Sequence, residues 1–351
     1  MNNFLKKITV LFLLFVLAQA GFAGEGTTSD GKVDVKSIVF SHISDAYDWH
    51  ITTINEHHIS IPLPVIVYSK ASGWNVFLSS KLHHGAHNGL AIAEAGAANE
   101  GKIIETATGE RPVFDISITK NVLSLLMNSA LLIFIVMFVA KWYKQKPQEA
   151  PKGLRGAMEM MIMDVHDSVI KACVGKDYKR YVPYLLTAFF FIFFNNLIGL
   201  VPIFPGGANL TGNIAVTLVL AAITFLVVNI FATKEYWREI FWPDVPVWLK
   251  VPIPLMPAIE AFGIITKPFA LMIRLFANIM GGHAAVLGLT CLIFITASMG
   301  AVASGSFTVM SVLFTVFLLC VDLLVAYIQA YVFTMLSAVF IGLSRVEAHH
   351  K

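Results

Sequence analysis

The chain has 351 residues, of which 57% are hydrophobic and 13% charged, with a mean hydropathy of +0.73. That balance excludes a soluble domain built on one core and marks a polytopic membrane protein. A net charge of +3 and a pI near 8.6 give no case for nucleic acid as a partner.

The first 23 residues read as a secretory signal. Lys6 and Lys7 form a basic start, Ile8 to Leu17 a short apolar core, and Ala18-Gln-Ala20 or Gly21-Phe-Ala23 offers the cleavage site. Residues 24–118 then form a small exported (periplasmic) amino-terminal domain. Ile59 to Tyr68 and Gly73 to Leu78, rich in β-branched and aromatic residues, are expected as short strands, and Ala91 to Gly109 as a flexible loop. The domain holds seven of the eleven histidines, among them His57-His58, His83-His84 and His87. They lack acidic or cysteine companions at matching spacing, so no metal is assigned. Cys173, Cys291 and Cys320 all fall in the apolar part, and no disulfide framework is expected in the exported part.

Residues 119–351 carry the membrane domain. Val122–Ala140, Val182–Pro202 and Ile214–Phe231 are each long enough for one crossing. Two later stretches, from Ile253 to Gly300 and from Phe307 to Leu343, exceed that need. As helices they run roughly 70 Å and 55 Å, against a hydrocarbon core of about 30 Å. Neither has a polar turn at its middle, although Gly281-Gly282 comes nearest and Pro268 is expected to kink the first. Two long tilted helices are therefore expected. Nine Lys or Arg lie between 141 and 180, none in the loops 203–213 and 298–306, three in 232–250 and two in the tail. That pattern gives an exported amino terminus, five crossings and a cytoplasmic carboxyl terminus. Between the first two spans, Leu154, Met158, Met161, Ile162, Val165 and Val169 recur at helical spacing, with Glu159, Asp164, Asp167 and Lys171 elsewhere on the wheel. This predicts an amphipathic helix on the membrane surface or against a partner. The expected fold is an all-α polytopic membrane protein with five membrane-crossing helices, an interfacial amphipathic helix and the exported domain.

The functional candidates are the polar residues inside the long apolar helices: Glu260, Lys267, Arg274, Asn278, His283, Asp322 and Gln329. Arg274 stands out. A guanidinium cannot shed its proton, and holding it at a bilayer centre costs about 2.5–3.5 kcal/mol. It lies too deep in apolar sequence for a snorkelling anchor. With Gln329 at the depth of Arg274, its amide oxygen accepts a guanidinium hydrogen bond. His283 and Asp322 then lie about 13 Å and 10 Å toward the outside. An imidazole and a carboxylate at similar depth suit a proton relay. Nine residues at about 100° put His283 roughly half a turn from Arg274, so the two face different elements. Glu260 and Lys267 fit an interfacial or structural pairing as well as a functional one. Asn195, Asn196 and Asn278 fit interhelical hydrogen bonding equally.

Glu260-Ala-Phe-Gly-Ile-Ile-Thr-Lys-Pro-Phe-Ala-Leu-Met-Ile-Arg-Leu-Phe-Ala-Asn-Ile-Met-Gly-Gly-His283 resembles the signature helix of subunit a of F-type ATP synthases. Ile328-Gln-Ala-Tyr-Val-Phe333 is similar to the next helix's motif, and Asn195-Asn-Leu-Ile-Gly-Leu-Val-Pro202 and Asn213-Ile-Ala-Val-Thr217 to the earlier spans. The resemblance covers about 119–345. It implies a proton-translocating stator subunit of the bacterial inner membrane, without bond chemistry or a cofactor of its own. Its implied partners are a c-subunit ring, the b-subunit peripheral stalk, other ATP synthase subunits and the lipid bilayer. By the same resemblance Arg274 separates two offset half-channels and favours the ionised form of each passing ring carboxylate. Gln329 interacts with it, Asn278 lines the path, and His283 and Asp322 belong to the outer half-channel. The usual bacterial pattern has Glu at the His283 position and His at the Asp322 position; here the order is exchanged, as in the mitochondrial form. The exported domain is a second departure. A secondary transporter lacks support because no internal repeat is seen. An intramembrane hydrolase lacks a His-Glu-x-x-His or Gly-x-Ser-x-Gly motif.

Overall fold

The computed structural model describes residues 44–54, 57–70, 72–82, 85–93, 97, 99–201, 206–241, 255–296 and 301–345. The expected signal segment, residues 24–43 of the exported domain, His83 and His84 lie outside these. The chain divides into two compact units. One comprises residues 1–128, 198–210 and 282–320; the other comprises 129–197, 211–281 and 321–351.

Among the described residues the first unit holds all the strands: β1 (Asp48–Ile54), β2 (His57–Pro62), β3 (Pro64–Ser69), β4 (Gly73–Leu78), β5 (Leu90–Ile92), β6 (Ile103–Glu105) and β7 (Phe114–Asp115). β1 and β2 pair as an antiparallel hairpin with an irregularity between His50 and Thr52. β3 is the middle of a three-stranded sheet ordered β4-β3-β7, and β5 pairs with β6. Alternation decides the inner face: Val65, Val67 and Phe77 point inward and join Tyr47, Leu82, Leu90 and Ile103 in one core. The flexible loop expected over Ala91 to Gly109 is therefore corrected. Leu90 and Ile103 are wholly buried and anchor a three-residue ladder. Two such short apolar anchors are diluted by the small residues between them, which hid the strand pattern.

The same unit joins this domain to the start of the first membrane helix, α1 (Lys120–Gln145). The Asp45 carboxylate accepts from the Asn121 backbone N–H at 3.0 Å, and the Lys120 N–H donates to the Ala46 carbonyl at 2.9 Å. Orphan amides of the first helical turn are thus satisfied by residues far back in the chain.

The second unit is helical. α2 runs from Leu154 to Asp164, widens into a π-helical stretch (Val165–Lys171) and ends with Ala172–Val174. Gly175, at φ +78°, stops it in a conformation that L side chains avoid. α3 (Tyr178–Gly199), α4 (Ile214–Ile230) and α5 (Lys234–Phe241) follow, α5 bent from α4 by 99°. α6 (Leu255–Thr296) and α7 (Ala301–Ser344) complete the chain, and each belongs in part to both units. Among the described residues four helical stretches are long and apolar enough to cross a membrane, and α4 with α5 makes a fifth. The five expected crossings correspond to α1, α3, α4, α6 and α7. α6 and α7 have 42 and 44 residues. At 1.5 Å per residue each exceeds 60 Å by a little, about twice the hydrocarbon thickness. Pro268 sits inside α6 without ending it, and Gly281-Gly282 is helical rather than a turn. α7 starts at Ala301, so part of the expected connecting loop 298–306 is helix.

The apolar side of α2 is covered by the chain itself. Val165, Val169 and Ile170 are buried in one cluster with Leu185, Phe189, Phe333 and Ile341. This answers the choice left open between membrane surface and partner: the face packs on neighbouring helices. Gly342 permits the approach, because a Cβ there would overlap the Cys173 carbonyl. Helix propensity favours alanine over glycine by about 1 kcal/mol, whereas overpacking costs about 1–3 kcal/mol. Gly342→Ala is expected to lower the thermal midpoint of the purified chain. Gly263→Ala, with nothing within 4 Å of its Cβ, should not.

Tyr47 supplies a second prediction. Burial, then its hydrogen bond to Asp115 (2.5 Å) and the charge of that carboxylate, push the phenol well above its usual 10.0. The folded state therefore holds the proton where the unfolded chain releases it. Its contribution is intact below pH 10.0 and is lost as pH rises beyond that. Tyr47→Phe should flatten the alkaline fall in thermal midpoint relative to the parent chain.

Candidate functional site

The site is built on the part of α6 that belongs to the second unit. Leu271, Met272, Leu275 and Ile279 are buried and hold one side of the helix against the core. Arg274 and Asn278 are one turn apart at the border of that buried stripe, and Arg274 is exposed. Ala270, Ala277 and Gly281 are exposed around them, so the backbone there is open to close approach by another surface. Among the described residues Arg274 forms no hydrogen bond and no ion pair.

Gln329 comes from α7 and is 3% exposed. Its amide oxygen accepts from the Asn278 amide at 2.7 Å. This corrects the expected bond to Arg274. The register of the two helices here is set by Asn278, one turn further along, which leaves the guanidinium free. A buried amide must be paired, and here Asn278 takes the role.

Lys267 is exposed and its ammonium lies 6.0 Å from the Phe340 ring centroid. It borders a shallow open cleft together with Asn229, Tyr236 and Pro268. Glu260 is half-buried, and no ion pair joins it to Lys267 among the described residues. Asn196 accepts from Thr211, in the turn before α4, at 2.5 Å, whereas Asn195 donates to the Phe191 carbonyl of its own helix at 2.7 Å.

His283 belongs to the first unit and is half-buried. Gly199 lies beside it: a Cβ at that glycine would make an ordinary contact with His283 Nε2 at 3.9 Å and would crowd the Ala208 carbonyl at 3.3 Å. Asp322, at the edge of the second unit, is half-buried. Sequence reasoning missed Gly199, since nothing in its neighbourhood marks a distant histidine. It also missed Tyr327, whose hydroxyl donates to Asp164 at 3.2 Å and ties α7 to α2. Tyr327 and Tyr331 recur at helical spacing and stack at 6.1 Å, which was the available signal.

The family model described as ATP synthase A chain matches residues 122–342, which contain every one of these positions. The chain belongs to that family. Subunit a of Chlorobium phaeobacteroides (strain DSM 266) is 43% identical over 245 residues, covering 68% of each chain. The Pelodictyon phaeoclathratiforme subunit is 42% identical over 244 residues, again 68% of each. The Myxococcus xanthus subunit is 40% identical over 244 residues, covering 67% of this chain and 75% of its own. A second model, of a domain of unknown function, matches residues 38–123. As a member of the ATP synthase A chain family, the chain is a multi-pass membrane channel subunit and is not catalytic alone.

The Asn278–Gln329 bond yields a third prediction. Hydrogen bonds between membrane helices average about 0.6 kcal/mol and reach about 1.7 kcal/mol. Asn278→Ala and Gln329→Ala should therefore combine to less than the sum of their separate losses of stability, by an amount in that range. Full additivity would show that the two amides act independently.

Proposed function

We infer that the chain is the proton-translocating stator subunit of an F-type ATP synthase, with Arg274 as the electrostatic divider between two half-channels. The family membership supports the coarse statement. The observation that carries the finer one is the exposure of Arg274, without a partner among the described residues, on a membrane helix with small neighbours. A permanent cation in that position requires an anion, and a ring of c subunits, each bringing one carboxylate, supplies it in turn. Each carboxylate is held ionised while it faces Arg274 and takes a proton once it has moved on. Moving one charge through 100 mV yields about 2.3 kcal/mol, which drives the ring.

The remaining candidates take roles around that divider. Asn278 and Gln329 hold the two long helices in register and line the path. His283 and Asp322 serve the outer half-channel, where an imidazole can relay protons near neutral pH and a carboxylate beside it tunes that exchange. Glu260 and Lys267 lie toward the inner side. The positive-inside pattern supports a periplasmic amino-terminal domain (24–118) after a signal segment (1–23), and a cytoplasmic carboxyl terminus for the membrane domain (119–351). The placement is then the bacterial inner membrane, with the b-subunit stalk as a further partner.

Arg274→Ala in inverted membrane vesicles is the test. The reading expects ATP-driven proton pumping to fall to background while the variant still copurifies with the other subunits. Pumping at the parental rate would contradict it.

A further inference from the structure

The β4-β3-β7 sheet has two faces of opposite fate. One is the inner face of the core described above. On the other, register sets Tyr68 opposite both Trp74 and Phe114, and Ile66 opposite Val76. Cross-strand partners share a face, so these side chains form one surface. Trp74 is 61% exposed, Val76 71%, Phe114 58% and Ile116 63%. The rings of Trp74 and Phe114 flank Tyr68 at centroid distances of 5.3 and 6.5 Å. No position of this face carries a charge. A contiguous apolar surface of this kind on a polar domain marks a contact.

The chain itself indicates what covers it. Ile116 N–H donates to the Ile66 carbonyl and Ile118 N–H to the Pro64 carbonyl, both at 3.0 Å, so the third strand is held up to the threshold of α1. Lys120, the first residue of α1, is then bonded to Ala46. Lys120 is four positions on from Ile116, a reach of at most about 14 Å. The headgroup layer on each side of a bilayer is about 5–8 Å thick. The sheet is thus tethered rigidly within reach of that layer. α1 exposes Val122 and Leu126 within its first two turns, continuing the apolar sequence of the sheet. Trp and Tyr on an uncharged face match the composition of membrane-interface belts, where a protein partner's patch would carry a polar rim with hydrogen-bonding groups.

We propose that this sheet face lies on the lipid bilayer, with Trp74, Val76, Phe114 and Ile116 immersed in the interfacial layer beside the start of α1. The exported domain then acts as an interfacial platform that fixes the outer end of α1 in depth. The inference rests on α1 being a membrane span and is independent of the role of Arg274.

The test uses the full chain in its native membrane, with a photo-activatable phenylalanine analogue placed singly at positions 74, 76, 110 and 134. Phe134 is 67% exposed within α1 and reports whether that helix is in lipid; Glu110 is exposed in a polar turn and reports water. After illumination, adducts are identified by mass spectrometry. Positions 74 and 76 are expected to give phospholipid adducts at a yield approaching position 134 and several-fold above position 110. Adducts of 74 and 76 to another polypeptide, or yields no higher than at 110, would overturn the proposal while lipid adducts at 134 still showed α1 in the bilayer. Loss of lipid adducts at 134 would overturn it too, by removing α1 as a span.

Discussion

A charge that cannot be neutralised, placed on the open side of a membrane helix, is the constraint from which the rest follows. Arg274 is exposed, and nothing among the described residues bonds to it. In water such a side chain would need no account. In a multi-pass membrane subunit the alternatives are lipid, at several kcal/mol, or an anion carried by another chain. The family to which the chain belongs is built to meet other subunits, and the proposed ring carboxylates are the anions that such a position needs.

Everything around Arg274 serves to present it without satisfying it. Leu271 and Leu275, one turn apart and flanking Arg274 in sequence, are buried in the core and anchor this part of α6. Gln329, the expected local partner, accepts from Asn278 instead. That bond ties two long helices together at the level of the site. Behind it, the packing of α2 on α7 through Gly342 and Tyr327 stiffens the element that carries Gln329. A rigid backing matters to the proposed divider because such a device acts through position, and a guanidinium free to swing would lose its preference for one side.

Apolar length made the helices legible, since 42 and 44 continuous helical residues leave little choice of element. Pro268 was correctly expected inside a helix rather than at its end, because apolar sequence continues on both sides. Polar residues in apolar surroundings marked out the residues proposed for the site in the same way. What the sequence could not carry was partner choice. Asn278 and Arg274 both lie on one helical face, and only three-dimensional register decides which of them meets Gln329. Gly342 and Gly199 are similarly silent, because a glycine records that something is close without naming it. The β5–β6 ladder was hidden because two three-residue strands give too few alternations to distinguish from a loop.

The central claim is that the counter-charge of Arg274 resides on a neighbouring chain. Electron cryomicroscopy of the intact membrane sector measures this directly. The account predicts that Arg274 faces the ring and that a c-subunit carboxylate comes within about 4–6 Å of its guanidinium, close enough to hold that carboxylate ionised. An Arg274 side chain facing only lipid, or paired with an acidic residue of its own chain, would contradict it.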